Sequence, residues 1–150
     1  MKPKIHAAAG TVALLCILGF WTSTVIAELF LSHEAVQAVK AGILRAMWLL
    51  IPALMVTGAS GFALSRGRAG WLVETKKRRM PLIAANGLLV LLPAAFWLHA
   101  SAAAGRFDAA FYAVQALELA AGGVNIALMT RNMRDGLRLS GRLRRPAAVA

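Results

Sequence analysis

Hydrophobic residues follow one another in long runs along this chain, without the strict alternation that marks a half-buried strand. Stretches free of Asp, Glu, Lys and Arg cover 5–27, 46–65 and 80–105, and a fourth stretch, 109–130, contains one charged residue, Glu118. About 20 helical residues match a hydrocarbon core of about 30 Å. Because backbone groups in lipid must be satisfied within the segment, the pattern predicts an all-α bundle of four transmembrane helices.

Residues at the junctions predict where these helices begin and end. Ser32 followed by Glu34 is an N-cap with an acid in the first turn, and Asp108 offers a second cap. Pro81 suits the first turn of the third helix. The predicted helices span about 5–31, 33–65, 80–101 and 108–136, followed by a basic tail over 137–150, all in one membrane domain.

Positively charged residues predict the orientation of the helices. Of the 17 Lys and Arg residues, 14 fall in the amino-terminal segment, in the loop between the second and third helices, or in the tail. The other three are Lys40, Arg45 and Arg106. Because Lys and Arg are retained on the cytoplasmic side, we expect an up-down-up-down bundle with both termini in the cytoplasm.

The composition fits a membrane protein better than a nucleic-acid-binding protein. Hydrophobic residues make up 59% and charged residues 15% of the chain, and the mean hydropathy is +0.66, whereas soluble domains contain about 25% charged residues. The net charge of +11 could attract phosphate, but the basic residues form three membrane-flanking clusters rather than one groove with interleaved aromatics. We therefore expect anionic lipid headgroups as their partners, and no nucleic acid.

The first hydrophobic run also has an alternative interpretation as a cleaved signal peptide. Lys2 and Lys4 precede it, and the small residue Ala27 stands before Glu28. The run is longer than the usual apolar core of about 7 to 15 residues. The polar residues at 22–24 are also unfavourable just before a cleavage site, so we favour a first helix that is kept and not removed as a signal peptide.

Small and polar residues predict which faces of the helices point inward, because contacts between helices in lipid depend on close packing and hydrogen bonds. On the fourth helix one stripe recurs at steps of three and four: Phe111, Gln115, Glu118, Gly122, Asn125, Met129, Asn132 and Gly136. On the first helix a single face carries His6, Gly10, Ala13, Ile17, Thr24 and Glu28. We expect these two faces to meet inside the bundle.

Charged residues inside the spans need partners, since a buried carboxylate is tolerated only if it is neutral or paired. Glu28, Arg45 and Glu118 belong to the same half of the membrane, and Gln115 lies one turn from Glu118. We predict a buried polar cluster of these four residues, with Asn125 further along the stripe. The interpretation as a structural ion pair is favoured, and a proton or ligand site is the alternative.

Three histidines are candidates for holding a cofactor between facing helices, as four-helix bundles often do. A b-type haem takes one or two axial ligands, usually His and sometimes Met. Three arrangements are open: His33 with His99, His6 with Met129 or Met133, and two His6 side chains from the two chains of a dimer. The His6 arrangements are favoured because His6 lies on the polar face, opposite the stripe that carries Asn132. The alternative is that His6 is an ordinary interfacial residue, and the orientation of His99 stays open.

The sequence contains few of the motifs that indicate enzymatic activity. No phosphate loop, zinc-binding HExxH motif or nucleophile elbow is present in the sequence, so hydrolysis and phosphoryl transfer are not expected. Two alternatives to cofactor binding remain. One is a non-enzymatic scaffold or subunit of a larger membrane complex, and the other is a small proton-coupled transporter that uses Glu28 and Glu118 and needs oligomerisation.

Several motifs carry a resemblance to a known group of proteins. They are Lys4-Ile5-His6, Gly10-Thr11, residues 20–24, Glu28-Leu29, residues 57–61 and residues 132–136. Over nearly its whole length the chain resembles small bacterial four-helix inner-membrane proteins whose activity is not established. Through its architecture and one or two histidines it is also loosely similar to b-type cytochrome bundles. The resemblance implies the four-helix topology and leaves the activity open.

Overall fold

The computed structural model describes residues 3–66 and 70–140, and within those ranges every regular element is helical. The elements are α1 (Pro3–Phe30), α2 (His33–Ser65), α3 (Trp71–Asn86), a π-helical segment (Gly87–Leu91), α4 (Leu92–Ala103) and α5 (Ala109–Leu139). Because α3, the π-helical segment and α4 form one continuous helix, the chain has four helices long and apolar enough to cross a membrane. The predicted all-α class and the four long apolar helices are confirmed.

The predicted caps are confirmed at two helix starts. The Ser32 side chain accepts a hydrogen bond from the Ala35 amide at 3.4 Å, and Asp108 accepts one from the Phe111 amide at 2.9 Å. Each cap satisfies an amide that the first helical turn leaves without a backbone partner.

The third helix begins at Trp71, nine residues before the predicted start at 80. Hydropathy locates a span but not the helix that extends beyond it, and the intervening Lys and Arg residues are good helix formers. Helix α5 likewise continues to Leu139. Residues 141–150 of the predicted tail lie outside the described residues, as do residues 1–2 and 67–69.

A single π-helical turn interrupts the third span just before Pro93. The Leu92 amide donates to the Gly87 carbonyl, five residues back rather than four. Proline has no amide hydrogen to donate, and a wider turn at this point absorbs the break in the hydrogen-bond ladder. The span therefore continues through Pro93 without ending.

Two hydrophobic clusters lie one above the other along the bundle. One is formed by Ala13, Leu14, Ile17, Leu50, Ile83 and Met129, and the other by Ala27, Val36, Leu98, Ala102 and Phe111. Helix α1 packs extensively on α2, whereas α2 and α3 touch very little. The gap between α2 and α3 opens the interior at the end of the bundle that contains the start of α1.

A candidate ligand-binding cleft

An elongated cleft of about 1410 Å³ runs through the bundle between α1, α2, the third span (α3, the π-helical segment and α4) and α5. Lys4 and Ser140 lie at one end of its lining, and Thr24 and Glu118 lie towards the other. The α1 residues along the cleft extend from Pro3 to Thr24, which at about 1.5 Å per residue is about 32 Å. The volume exceeds the roughly 300–1,000 Å³ of ordinary small-molecule pockets, so the cleft suits a large or long ligand with apolar parts.

His6 lines the cleft and is held by one edge of its ring against α2. Its Nδ1 lies 3.1 Å from the Thr57 carbonyl oxygen and 2.9 Å from the Ser60 hydroxyl oxygen. Because a carbonyl oxygen only accepts, we assign the ring proton to Nδ1, and Ser60 donates its own proton to the Val56 carbonyl. The neutral ring then has its free lone pair on Nε2, which makes no hydrogen bond within the described part of the chain.

This arrangement is the one that a metal-binding histidine uses. A ligating imidazole usually donates its other N–H to a carbonyl or carboxylate, which sets the tautomer and the orientation of the ring. Gly61 makes room for the ring, because a Cβ there would lie 3.1 Å from His6 Cε1. His6 is therefore oriented by α2, and its Nε2 has no hydrogen-bond partner within the described ranges.

The methionine and asparagine predicted to accompany His6 also line the cleft. Met129 and Asn132 are buried on α5, whereas Met133 is exposed on one side. The Asn132 amide nitrogen lies 3.5 Å from Met80 Sδ, and its buried Oδ1 has no hydrogen-bond partner among the described residues. The cleft thus contains an acceptor that a donor on a ligand could satisfy.

Met80 is a cleft residue that the sequence interpretation missed. A Cβ placed on Gly61 would lie 3.8 Å from Met80 Cε and 3.1 Å from His6 Cε1, so the thioether and the imidazole are close neighbours. Its position beside Pro81 marked it as part of a helix start rather than as a candidate ligand.

His33 and His99 lie outside the residues that line the cleft. The His33 ring stacks on Phe107 with centroids 4.0 Å apart, and its Nε2 lies 3.5 Å from the Tyr112 hydroxyl. His99 is half-buried on α4, and its Nδ1 is enclosed without a hydrogen-bond partner in the described ranges. The aromatic contacts of His33 are those of a residue that fastens the start of α2 to α5.

A buried ion pair occupies the other end of the cleft, with a cation that differs from the predicted one. Lys40 Nζ lies 2.6 Å from Glu118 Oε2, and the Gln115 amide donates to the same oxygen at 3.0 Å. Lys40 is 2% exposed and Gln115 is 3% exposed. The prediction of Arg45 as the partner is wrong, since Arg45 is exposed on α2 and makes no ion pair with a described residue.

Glu28 lies near this pair without joining it. Its Oε1 is buried and has no hydrogen-bond partner among the described residues, and no described cation lies within 4.0 Å of it. The buried polar cluster in the structure therefore consists of Lys40, Glu118 and Gln115, and it links α2 to α5.

Helical register could have distinguished Lys40 from Arg45. Val36, Lys40, Ile43 and Leu50 are buried on one face of α2 at helical spacing, and Arg45 falls off that face. Distance along the helix also favours Lys40. Glu118 lies nine residues from the start of α5, whereas Lys40 lies seven and Arg45 twelve residues from the start of α2, so Lys40 is nearer to the depth of Glu118.

Side-chain amides position the helices that form the walls. The Asn86 amide donates to the Asn125 side-chain oxygen and to the Ala121 carbonyl, both at 2.9 Å, and Asn125 is 2% exposed. On the opposite side, Trp21 Nε1 donates to the Leu119 carbonyl at 2.9 Å. These bonds tie α3 and α1 to α5 towards the Glu118 end of the cleft, where a change in spacing would alter its width.

Among the described residues, no group of three or more His, Cys, Asp or Glu side chains could hold a metal ion by itself. Comparisons with known proteins do not assign the cleft either: no protein-family model, curated protein or solved structure matches this chain.

Proposed function

We propose that this chain is a multi-pass protein of the bacterial inner membrane, with its helices arranged up-down-up-down and both termini in the cytoplasm. The four apolar helices and the placement of 14 of the 17 Lys and Arg residues on one predicted side support this topology. A fluorescent protein fused to the carboxyl terminus is expected to fluoresce, and alkaline phosphatase fused there is expected to be inactive. The reverse pattern would place that terminus outside the cytoplasm.

We further propose that the bundle binds haem b in the cleft, for electron transfer or haem handling. The observation that supports this most directly is the His6 imidazole, whose Nδ1 is held by Thr57 and Ser60 while its Nε2 is free beside the cleft. When bound, a haem supplies an iron that changes its oxidation state, and it needs only one or two side-chain ligands. His6 would hold the iron, and the apolar walls would cover the porphyrin faces.

A methionine is the natural second ligand within one chain. Met129 and Met133 were predicted from the α5 stripe, and Met80 is added by its closeness to His6. A methionine and a histidine as the two ligands would give the iron a higher reduction potential than two histidines. Each methionine is replaced by Leu in turn. We expect the visible spectrum and the reduction potential to shift only when the ligating methionine is replaced. A pair of His6 side chains from two chains would leave all three variants unchanged and would require a dimer.

The decisive experiment is a visible spectrum of the full chain, expressed with ample haem and purified in mild detergent. We expect a Soret band that is lost on His6→Ala and retained on His33→Ala and His99→Ala, which are matched controls outside the cleft. Circular dichroism of the variants checks that each is folded. A folded wild-type protein with no Soret band, either as purified or after reconstitution, would refute the proposal. Retention of the band in His6→Ala would refute the role of His6.

A further inference from the structure

The end of the cleft at the start of α1 combines positive charge with hydroxyl groups. Lys4, Lys76 and Lys77 line this end together with Ser65 and Ser140, and we call these five residues the cationic mouth. Their ammonium groups are donors suited to an anionic oxygen group, whereas the two hydroxyls donate to backbone carbonyls three residues back, Ser65 to Phe62 and Ser140 to Leu137. The charge is local, since the lining of the cleft deeper in the bundle is mostly apolar up to Glu118.

Lys76 is the half-buried lysine of the cationic mouth, whereas Lys4 and Lys77 are exposed. The nearby carboxylate of Asp135 is bonded to Arg79 at 2.7 Å. Lys77 has its own partner in Glu74, at 3.5 Å. Lys76 makes no ion pair within 4.0 Å in the described ranges, although it is half-buried.

The path of the Lys76 side chain depends on a glycine of α5. Its Nζ lies 3.3 Å from the point that a Cβ on Gly136 would occupy, so the missing side chain at 136 leaves the ammonium group its place. A half-buried lysine without an ion-pair partner is costly unless an anion joins it. The geometry therefore provides an anion position at the edge of the cleft.

Beyond the cationic mouth, the cleft has the length and lining of a site for a hydrocarbon chain. Its walls include Ile17, Leu50, Leu54 and Ile83. The lined part of α1 is about 32 Å long, about twice the depth of roughly 15 Å that one leaflet contributes to the hydrocarbon core. A molecule with an anionic head and an apolar tail matches the cationic mouth and the apolar walls beyond it.

We propose that an anionic phospholipid binds in this cleft, with its phosphate at Lys76 and an acyl chain along the apolar walls. Basic pockets between transmembrane helices bind anionic lipid heads in this way. The site does not depend on haem binding, since it uses Lys76 rather than His6. A lipid and a haem would compete for the same volume of the cleft, so the binding of haem would displace a bound lipid.

The head-group part is tested on the full chain in mild nonionic detergent by native mass spectrometry. Dioleoylphosphatidylglycerol and dioleoylphosphatidylcholine have the same acyl chains and differ in net head-group charge. We expect the wild type to prefer the anionic lipid by about tenfold, which corresponds to about 1.4 kcal/mol. Lys76→Gln should lose the preference, Lys76→Arg should keep it, and Arg78→Gln should keep it because Arg78 is exposed on the same helix outside the cleft.

The tail part is tested with a matched pair of glycines in α2. Gly58 lines the cleft and Gly42 does not, and a Cβ on either has no atom of a neighbouring residue within 4 Å. Gly58→Leu should therefore fill the cleft and weaken binding of both lipids, whereas Gly42→Leu should leave binding unchanged. Inorganic phosphate should not displace the lipid, because it lacks the chain.

Three results would overturn the proposal: an unchanged preference in Lys76→Gln, an equal loss in Arg78→Gln, or wild-type lipid binding in Gly58→Leu. Displacement of the lipid by inorganic phosphate would reduce the site to a phosphate site and would also overturn it. His6→Ala separates this proposal from haem binding. It should remove the Soret band and leave the lipid preference intact.

Discussion

The ion pair between Lys40 and Glu118 leads to a quantitative prediction about stability. At the observed 2.6 Å, two unit charges attract by about 6 kcal/mol at an effective dielectric constant of about 20. Desolvation of each ion costs several kcal/mol, so the intact pair is close to neutral in net free energy. Removing one partner is different, because the other charge stays in the bundle without compensation, at a cost of about 3–5 kcal/mol.

We therefore expect Lys40→Met to lower the free energy of unfolding by about 3 kcal/mol or more. The double variant Lys40→Met with Glu118→Leu should recover most of that loss, because an apolar pair replaces the ionic one. Arg45→Met is the matched control. It removes an exposed cation from the same helix and should change stability by less than about 0.5 kcal/mol.

The assay is unfolding in mixed detergent micelles, followed by far-ultraviolet circular dichroism and by tryptophan fluorescence. The double-mutant cycle gives the coupling between the two positions directly. Equal losses for Lys40→Met and Arg45→Met would refute the assignment of the partner. A double variant as unstable as the sum of the single variants would refute the electrostatic explanation.

Three further predictions concern contacts between the helices. Asn86→Leu should cost about 1–3 kcal/mol by leaving the Asn125 oxygen unpaired, and Asn125→Leu in the same background should add little; additive unfolding free energies would contradict this. With Trp48, Trp71 and Trp97 replaced by Phe, Gly122→Ala should shift the emission of Trp21, because its Cβ would lie 3.1 Å from Trp21 Cδ1; an unchanged emission spectrum would argue against that contact. Asp135→Asn should lower stability by about 1–3 kcal/mol through loss of a charge-assisted bond between α3 and α5, and a thermal melt equal to that of the wild type would contradict this.

Much of the fold follows from the sequence because lipid imposes simple rules. Three uncharged runs and a fourth that contains Glu118 as its one charged residue could only be helices. The steps of three and four on α5 identified the face that the structure buries, from Phe111 to Asn132. The caps at Ser32 and Asp108 were equally local signals.

The site was harder to predict because it depends on distances between helices. The choice of Lys40 over Arg45 depends on the register of α2 against α5, which a count of charges on each side of the membrane ignores. The closeness of Met80 to His6 depends on how α3 meets the end of α2. The cleft itself results from the separation of α2 and α3. The residue pattern of a single helix does not predict how far that helix lies from another one.

The π-helical turn at Gly87–Leu91 also determines what a one-residue deletion would do to the third span. An α-helix advances about 100° per residue, so removing one residue there would restore ordinary α geometry and rotate the two halves of the span by that angle. Asn86 and Leu98 would then no longer both face the interior. The number of residues in this short segment, more than their side chains, keeps Asn86 of α3 and the buried face of α4 turned towards the same side of the bundle.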